Sequence, residues 1–384
     1  MRDIKEIMTK LIKSFVKKPI LRPTVLNIAM VAMLITCIFV PVDSEYIGYF
    51  NFQTLATLFC TLAVVSAFSH IHIFEIISKF LVVKLCNLKF AVLALVFITF
   101  FGSMLLANDM ALLTFLPLGY FVLNSTGNQK YMAYTFIMQN IAANLGGLIT
   151  PFGNPQNLYL YAYYSISTTE FTGIMLPVFL VSTLLIIIFC CFVPSKPLTL
   201  VNDTEHKLAP VKTVIYSVLF IFSLLIVFRI IGALLGTVVV IAVLMIMDRK
   251  ALKEVNYELL LTFCVFFVFS GNCARIPLIK DFFVGVLPIN TLMFGILSCQ
   301  FISNVPSAVL LSHFTTNYHA LLPAVNIGGL GTPIASLASL ITLTNYKKLS
   351  EGQEDCMSVA SYLKMFMLIN FIFLAVLYVT QSLV

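Results

Sequence analysis

Long apolar runs, separated by short charged or turn-forming stretches, dominate this sequence. A helix needs about 20 mostly apolar residues to cross a bilayer, with a range of roughly 17 to 25. The runs predict nine crossings, at 24–42, 52–68, 131–165, 171–193, 213–229, 231–247, 258–274, 320–345 and 360–383. Two further apolar stretches, 90–123 and 282–314, are each interrupted halfway by polar residues. The pattern predicts an all-α polytopic membrane protein.

The composition agrees with this prediction. Of the 384 residues, 60% are hydrophobic and 10% are charged, whereas a soluble domain is about half apolar and a quarter charged. This excludes a soluble enzyme with a single anchor. The nine cysteines are scattered and contain no Cys-x-x-Cys pair, which argues against a disulfide framework and a zinc site. No cofactor is predicted beyond a coupling ion.

Positive charge is concentrated near the N-terminus. The net charge is +7, and seven of the 23 Lys and Arg residues lie within the first 22 positions, alternating with Ile, Leu and Phe. This predicts a basic amphipathic segment at 1–23 that lies on an anionic membrane surface. Nucleic acid is not an expected partner.

The other Lys and Arg residues predict the orientation, because positive residues accumulate in cytoplasmic loops. They cluster in 79–89, 196–212 and 249–253, and at Lys130, Lys347 and Lys348. If the two interrupted stretches each enter and leave on the same side as hairpins, every cluster falls in the cytoplasm. If both stretches cross instead, the clusters between them fall outside. We therefore predict nine crossings of the inner (plasma) membrane, with the N-terminus inside and the C-terminus outside.

The most specific feature is an internal repeat. Residues 144–158 read NLGGLITPFGNPQNL and residues 326–340 read NIGGLGTPIASLASL, with seven identities in 15 positions, where average composition would give roughly one. The identical pairs are Asn144/Asn326, Gly146/Gly328, Gly147/Gly329, Leu148/Leu330, Thr150/Thr332, Pro151/Pro333 and Leu158/Leu340. Upstream of each copy, the stretches LLANDMALLTFLP and FISNVPSAVLLSHF align Asn108 with Asn304.

The repeat divides the chain into two halves around a linker. The predicted parts are repeat 1 at 24–193 (hairpin 90–123, unwound helix 131–165), a linker and connector helix at 194–230, and repeat 2 at 231–384 (hairpin 282–314, unwound helix 320–345). Repeat 1 begins at the cytoplasm and repeat 2 begins outside, so the repeats are predicted to be inverted. Inverted repeats with interrupted helices are typical of secondary transporters.

The repeated Gly-Gly-x-x-Thr-Pro segments interrupt their helices for a physical reason. Proline removes an N–H group and clashes with the preceding turn, and glycine lets the chain unwind. Within a membrane, only protein or a watery cavity satisfies the freed backbone groups, and such helix ends bind cations or anionic groups. Asn and Ser side chains add uncharged ligands. The alternative is a packing kink, but the presence of two matched copies favours a binding site.

Asp109 is a carboxylate well inside an apolar stretch. A charge at this depth is costly and is a functional candidate by default. A structural alternative is that Asp109 caps a helix that starts at Met110, and the two roles are compatible. Arg275, at the outer end of its predicted span, either attracts an anion or anchors the helix at the interface. Arg229, also at a span end, is interpreted as an anchor.

These motifs resemble those of the ion transporter superfamily. The resemblance rests on ANDMALLTFLP, NLGGLITPFGNPQNLYLY, SNVPSAVLL and VNIGGLGTPIASLASLI, in the expected order over about 85–345. The superfamily includes arsenite permeases of the ArsB type, sodium/proton antiporters of the NhaD type, citrate carriers and divalent anion/sodium symporters. The GNPQNLYLY motif is similar to that of bacterial anion permeases.

The resemblance implies two hairpin tips and two unwound helices around a central substrate, flanked by two cation sites. It also implies an elevator-like movement of a transport domain against a scaffold, and a homodimer. The predicted substrate- and ion-binding residues are Asn108, Asp109, Asn144, Gly146, Gly147, Thr150, Pro151, Gly153, Asn154, Asn157, Ser303, Asn304, Asn326, Gly328, Gly329, Thr332, Pro333, Ser336 and Ser339. Na⁺ is expected at the tips, Asn108 and Asn304. Dicarboxylate symporters carry Ser-Asn-Thr at both tips, whereas these tips read Ala-Asn-Asp and Ser-Asn-Val, which weakens the case for a carboxylate substrate.

The sequence therefore predicts a secondary transporter, not an enzyme, that moves an inorganic or organic anion with Na⁺ or H⁺ coupling. The alternative is a Na⁺/H⁺ antiporter or an arsenite-type efflux permease in which Asp109 is the shared carboxylate. An intramembrane hydrolase would need a second acid or a facing Ser/His pair, which the sequence does not offer. A passive channel would show conductance far above carrier turnover.

Overall fold

The computed structural model describes residues 25–73, 76, 87–198, 209–228, 230–353 and 355–384. Within these ranges the regular structure is helical, apart from an isolated bridge between Asn87 and Pro197. The α-helices are α1 (Val25–Phe39), α2 (Phe52–His70), α3 (Leu88–Leu105), α4 (Asn108–Ser125), α5 (Met132–Gly146), α6 (Pro155–Tyr163), α7 (Thr168–Cys190), α8 (Pro210–Val227), α9 (Ala233–Met247), α10 (Arg249–Lys253), α11 (Tyr257–Arg275), α12 (Pro277–Val286), α13 (Thr291–Ile302), α14 (Asn304–Ser312), α15 (Tyr318–Ile327), α16 (Leu337–Ser350) and α17 (Val359–Ser382). The predicted basic segment 1–23, residues 199–208 of the predicted linker and Arg229 lie outside the described residues.

Several of these helices are suited to a lipid environment. Among the described residues, six segments are long and apolar enough to cross a membrane, namely α2, α3, α7, α8, Arg249–Arg275 and α17. Their outward faces carry exposed apolar side chains, among them Leu180, Val218 and Leu368. Exposed apolar surface of this extent marks contact with a partner or a membrane rather than with water. The protein is therefore an all-helical polytopic membrane protein, as the composition predicts.

Both interrupted apolar stretches form a pair of helices joined by one or two residues. Leu106 and Ala107 separate α3 from α4 with extended backbone. In the second half, Ser303 alone separates α13 from α14, at φ 74° and ψ 159°. Non-glycine residues rarely adopt positive φ, and such strained positions cluster at functional sites. The sequence predicted this second pair to begin at 282, but it begins at Thr291, because the preceding residues form the separate amphipathic helix α12.

The two repeated segments are where the predicted long helices break. Helix α5 ends at Gly146 and is followed by a 3₁₀ turn, Gly147–Ile149, before α6 begins at Pro155. Helix α15 ends at Ile327, and α16 begins ten residues later at Leu337. We call the non-α-helical residues 147–154 the first strip and 328–336 the second strip. Each strip leaves helix-end backbone groups that need partners other than the next turn.

Packing brings the two strips together at the centre of the molecule. In each half, the first helix of the pair packs on the first part of the broken helix, α3 on α5 and α13 on α15. The second helix of each pair packs on a helix of the other half, the one that follows the break. Thus α4 packs on α16, and α14 packs on α6. This exchange places the start of α4 and the start of α14 next to both strips.

A second group of helices lies against this central assembly. Helix α11 packs on α1, and α2 packs on α8, α9 and α10. The two groups meet where α11 contacts α14 and α2 contacts α6. Helices α7 and α17 pack on each other and on the broken helices. The site described below therefore lies between the central assembly and α11.

Arg275, at the end of α11, forms a salt bridge. Its guanidinium donates to both carboxylate oxygens of Asp43, at 2.6 and 3.1 Å, and to the Tyr49 hydroxyl at 2.9 Å. The hydrogen bonds from Arg275 hold the pKa of Asp43 below its ordinary value. This bidentate pair ties the α1–α2 connection to α11. Arg275 is thus paired with a carboxylate rather than free to attract an anion, and the interpretation that it anchors the helix at the interface stays a prediction.

Candidate functional site: a polar cavity between two helix tips

Two asparagines begin the second helix of each pair. Asn108 and Asn304 are buried, with 3% and 2% of their surface exposed. The Oδ1 atom of each accepts a hydrogen bond from the next backbone amide, Asp109 N or Val305 N, both at 2.9 Å. The Nδ2 groups differ, because Asn108 donates to Asn144 Oδ1 at 3.2 Å, whereas no acceptor among the described residues reaches Asn304 Nδ2.

A narrow cavity of about 20 Å³ lies between the two tips. This volume holds about one water-sized group. The lining combines the tips with α6, α11 and α16, and consists of Asn108, Asp109, Pro155, Leu259, Thr262, Phe266, Ser303, Asn304, Val305, Pro306, Ser336 and Leu337. Its polar groups are hydroxyls, carboxamides and one carboxylate, and no Lys, Arg or His side chain of the described residues lines it.

A matched pair of hydrogen bonds joins each strip to the broken helix of the other half. Ser336 Oγ donates to Asn144 Oδ1 at 2.9 Å, and Asn154 Nδ2 donates to Asn326 Oδ1 at 3.2 Å. Asn144 matches Asn326 in the repeat, and Asn154 matches Ser336, so each half offers the same bond to the other. All four side chains are buried, and buried polar groups are held in place by such bonds.

Further buried polar side chains extend this network on both sides. Asn326 Nδ2 donates to Asn157 Oδ1 at 2.5 Å, and Asn157 Nδ2 donates to Gly147 O at 3.1 Å. On the other side, Asn140 Nδ2 donates to Ser339 Oγ at 3.3 Å. The predicted asparagine and serine positions of the repeated segments therefore belong to one connected, buried network.

Two buried acceptor atoms of this network have no donor. They are Asn154 Oδ1 and Gln156 Oε1, which lack a hydrogen-bond partner among the described residues. Both residues are at most 1% exposed, and their NH₂ groups already donate to Asn326 Oδ1, at 3.2 and 3.0 Å. Because unpaired buried oxygens are costly, these two atoms mark a place for a water, a cation or a donor group of a ligand.

Two threonines hold the strips against the helix pairs rather than line the cavity. Thr150 Oγ1 donates to Met104 O at 3.0 Å, and Thr332 Oγ1 donates to Gln300 O at 3.2 Å. Each acceptor lies four residues before a tip asparagine, so the two bonds are equivalent. The backbone of Thr150 is extended, because the proline that follows it disfavours the helical conformation.

The strip glycines allow close backbone contacts. A Cβ atom on Gly147 would lie 2.5 Å from Asn154 Oδ1, and one on Gly329 would lie 2.9 Å from Asn304 Nδ2. A Cβ atom on Gly153 would lie 2.7 Å from the backbone of Gly147. The first strip can therefore fold back on itself only because both of these positions lack a side chain.

The sequence-predicted residues thus fall into two groups. The residues that line the cavity are Asn108, Asp109, Ser303, Asn304 and Ser336. The residues that build the network and strips behind it are Asn144, Gly146, Gly147, Thr150, Pro151, Gly153, Asn154, Asn157, Asn326, Gly328, Gly329, Thr332, Pro333 and Ser339. Sequence reasoning missed Asn140, Gln156, Gln300 and also Thr342, whose hydroxyl donates to Asn140 Oδ1 at 3.2 Å. The i, i+4 spacing of Asn140 and Asn144 on one helix face was a usable signal.

Asp109 lies in the first turn of α4 and is 3% exposed. The proposal that it caps a helix starting at Met110 is wrong, because α4 begins at Asn108 and no hydrogen bond reaches the Asp109 carboxylate from the described residues. A negative charge in the first turn is favoured by the helix dipole. Asp109 is one of the residues that line the cavity.

A wider vestibule leads away from the cavity. It has a volume of about 400 Å³, lies between α4, α11 and α16, and shares Leu259, Thr262 and Leu337 with the cavity. Its far end carries Glu258 and Asn345. The shared lining residues place the vestibule directly beside the cavity at the tips. Its lining within the described residues contains one carboxylate and no basic side chain.

A family model described as "Citrate transporter" matches residues 14–323 of this chain. An uncharacterized transporter of Methanocaldococcus jannaschii is 34% identical over 304 residues, which cover 79% of this chain and 82% of that protein. Inner membrane protein YbiR of Escherichia coli is 31% identical over 257 residues, which cover 63% of this chain and 65% of that protein. These matches confirm the resemblance to the ion transporter superfamily.

The family match covers most of the chain, including the first strip, both helix pairs and α11. It agrees with a fold in which apolar helices surround a buried polar cavity. The family and the Methanocaldococcus jannaschii relative are both described as transporters. The chain belongs to the citrate transporter family and is a multi-pass membrane transporter.

Proposed function

We propose that this protein is a secondary active transporter that moves a small inorganic or organic anion across the inner (plasma) membrane, with Na⁺ or H⁺ coupling. The observation that carries the proposal is the convergence of two helix tips, the second strip and α11 on one narrow cavity, with the first strip hydrogen-bonded to the same network behind it. Sites of this kind, built from broken helices, are typical of secondary transporters. The cavity is buried, so a bound solute exchanges its water shell for fixed side-chain and backbone groups.

The charge of the cavity supports coupling. Asp109 and the vestibule residue Glu258 are acidic, and no basic residue of the described chain lines either space. An anion that enters such a site is repelled unless a cation or a proton offsets the carboxylate charge. Bound cation and bound anion therefore stabilise each other, and this mutual stabilisation is the free energy that couples their movement.

The movement that we propose is of the elevator type. The central assembly of α3–α7 and α13–α17 holds the tips and strips, and α1, α2 and α8–α11 form the surface against which it slides. In this view the two halves are inverted repeats, the helix pairs are re-entrant hairpins, and the protein is a homodimer. The matched contacts of α4 with α16 and of α14 with α6 support it, because they give the two halves equivalent roles around the site.

The vestibule indicates which side is open. Its far end at Glu258 lies next to the predicted cytoplasmic cluster 249–253, on the side that the Lys and Arg pattern assigns to the cytoplasm. We therefore assign the structure to an inward-facing state. Solute from the cytoplasm enters between α11 and α16, and the site opens outward after the central assembly moves.

A second candidate function is a Na⁺/H⁺ antiporter or an arsenite-type efflux permease. The observation that favours it is the buried Asp109 carboxylate, which has no donor among the described residues and lines the cavity. In that case cation and proton compete for the carboxylate, and no anion is needed for turnover.

Reconstituted protein tests both candidates. Proteoliposomes are loaded with choline buffer, and uptake of a panel of labelled anions, including citrate and inorganic oxyanions, is measured with an inward Na⁺ gradient or an inward proton gradient. Gradient-driven accumulation of an anion supports the main proposal. Proton release from the vesicles on Na⁺ addition without any anion supports the antiporter. Equal rates with and without gradients, at conductance far above carrier turnover, would show a channel.

A further inference from the structure

One face of α11 follows the site from the vestibule to a closed contact beyond the cavity. Leu259 and Thr262 line both spaces, and Phe266 lines the cavity. Ser270 comes four residues later, and residues three or four apart share a face of a helix. Because Glu258 lies at the far end of the vestibule, Ser270 lies on the opposite side of the cavity.

Ser270 forms a hydrogen bond with another helix. Its hydroxyl donates to Val309 O of α14 at 2.9 Å, and both residues are buried. Serine and threonine side chains within helices often donate to a carbonyl of their own preceding turn, as Thr262 of α11 does to Glu258 O at 2.6 Å. The Ser270 bond instead joins α11, in the second group of helices, to the central assembly.

Val309 O is available because it lies at the end of its helix. Helix α14 ends at Ser312, and the last four carbonyl groups of a helix have no partner within it. Val309 O also accepts from the Ser312 hydroxyl at 2.9 Å, and a carbonyl oxygen can accept two such bonds. Loss of the Ser270 hydroxyl would therefore leave Val309 O with a donor.

Two tyrosines hold the same helix end from within the central assembly. Tyr159 of α6 bonds to Ser312 Oγ at 2.9 Å, and Tyr159 is the donor because the Ser312 proton is used on Val309 O. Tyr164, directly after α6, donates to Ser312 O at 3.2 Å and to Thr315 O at 2.7 Å. Since α6 and α14 belong to the same assembly, these bonds do not cross between the two groups of helices.

An aromatic contact accompanies the Ser270 bond. The ring of Tyr159 packs on the ring of Phe267 in α11, with 5.7 Å between centroids, and both side chains are 1% exposed. Ring pairs of this kind attract each other beyond the effect of their burial. Phe267 and Ser270 therefore hold α11 against both α6 and α14.

We propose that Phe267 and Ser270 form a latch that closes the site on the side away from the vestibule. The latch consists of the Ser270–Val309 hydrogen bond and the Phe267–Tyr159 contact. It holds the central assembly in the inward-facing position, and both contacts break each time the site opens outward.

This inference rests on the proposed function, because α11 belongs to the surface against which the central assembly slides. Contacts across that boundary must change during the movement, whereas contacts within the assembly move with it. Phe267 and Ser270 are therefore positioning residues that set the balance between the two states.

The test measures how often the site opens outward. Val305, which lines the cavity, is replaced by cysteine in the full-length protein, and intact cells are treated with a membrane-impermeant maleimide. The labelling rate is taken above the background of protein without the introduced cysteine. Because the cavity lies behind the latch, reagent from outside reaches position 305 only when the latch is open.

The variants in this V305C protein differ in which contact they remove. S270A and F267L each remove one contact of the latch. Y159F and Y164F remove hydroxyls that bond within the central assembly, and Y159F keeps the ring on Phe267. S223A is the matched control, because Ser223 is a buried serine of α8 that donates to Phe220 O of its own helix.

We expect S270A to raise the labelling rate about fivefold, since the loss of one neutral hydrogen bond shifts an equilibrium by about this ratio. F267L should also raise it. Y159F and Y164F should lower the Tm and leave the labelling rate at the value of V305C alone, and S223A should leave the labelling rate unchanged. Unchanged labelling in S270A and F267L, or a rise in Y159F equal to that in S270A, would show that these contacts are only structural and would overturn the latch.

The uptake assay keeps this outcome separate from the proposed function, because labelling needs no substrate. If wild-type protein accumulates anion but S270A and F267L label no faster, the latch is wrong and the transporter proposal stands. If both variants label faster but the wild type neither accumulates anion nor exchanges protons, the proposed function is wrong and the latch stands.

Discussion

Ser336 donates its hydroxyl proton to Asn144 Oδ1 at 2.9 Å, so the second strip is bonded directly to the end of α5 in the first half. Asn144 Oδ1 also accepts from the tip residue Asn108 at 3.2 Å. One oxygen atom therefore joins a tip, a broken helix of the same half and the strip of the other half. Removing a partner of such a buried group costs about 1–3 kcal/mol. A solute that displaces one of these three elements therefore also disturbs the hydrogen bonds that hold the other two.

The tip asparagines should be essential for transport. We expect Asn108→Ala and Asn304→Ala each to abolish uptake in proteoliposomes, because each removes the carboxamide that faces the cavity at a helix start. Asn124→Ala, on the exposed end of the same helix as Asn108, serves as the control and should transport normally. Protein amount and monodispersity are measured by size-exclusion chromatography. Wild-type uptake in either tip variant would assign that tip a structural role only.

Asp109 should carry the dependence of transport on pH or Na⁺. Asp109→Asn keeps the size of the side chain and removes the negative charge in the cavity. We expect the variant to bind substrate but to lose the pH or Na⁺ dependence of its uptake, measured over a series of both. Asp281→Asn, an exposed position on α12, should leave the dependence intact. An unchanged dependence in Asp109→Asn would exclude Asp109 as the responsive group.

Gly146 should not tolerate a side chain. A Cβ atom there would overlap Phe100 O and Ser103 Oγ of α3, and forcing atoms into a packed interior costs about 1–3 kcal/mol. We expect Gly146→Ala to lower the Tm and to impair uptake. Gly173 in α7 has no atom within 4 Å of its Cβ position, so Gly173→Ala should be neutral or slightly stabilising. Equal Tm values for the two variants would contradict the close packing of α3 on α5.

The Asp43–Arg275 salt bridge should make stability depend on acidic pH. Because the hydrogen bonds from Arg275 lower the pKa of folded Asp43 below its ordinary 3.8, the pair adds stability above that pH. This contribution is lost as pH falls below about 4 and through the folded-state pKa. Asp43→Asn keeps an oxygen for Glu45 N but removes the charge, so its Tm should fall less steeply over this range. Glu351→Gln, at an exposed position that forms no ion pair with Arg275, is the control and should follow the wild type.

The orientation of the two halves can be read by labelling introduced cysteines. We expect Thr316→Cys to react with a membrane-impermeant maleimide in intact cells and Lys250→Cys to react only after permeabilisation. The starting protein should lack Cys191, which is exposed. Strong labelling of position 250 from outside would contradict the inverted-repeat arrangement.

Local features of the sequence were sufficient to predict the breaks in the helices. Gly146-Gly147 and Thr150-Pro151 interrupt a helix by their own backbone restrictions, whatever packs around them. The same holds for the second copy, and the polar residues at 108 and 304 interrupt apolar stretches. Helix α12 was missed because an amphipathic helix, with exposed Leu278 and Phe282, continues the apolar run of the next helix in the sequence.

The sequence by itself thus determined an all-helical membrane protein, the positions of its breaks and the pairing of its two copies, because these follow from local hydropathy and backbone chemistry. Only the tertiary structure decided which polar groups meet. It turned Thr150 away from the cavity, brought Gln156 into the network and placed the Gln300 amide against carbonyl groups of the second strip. Such contacts join residues far apart in the chain, and their partners follow from how the helices pack, which no local pattern encodes.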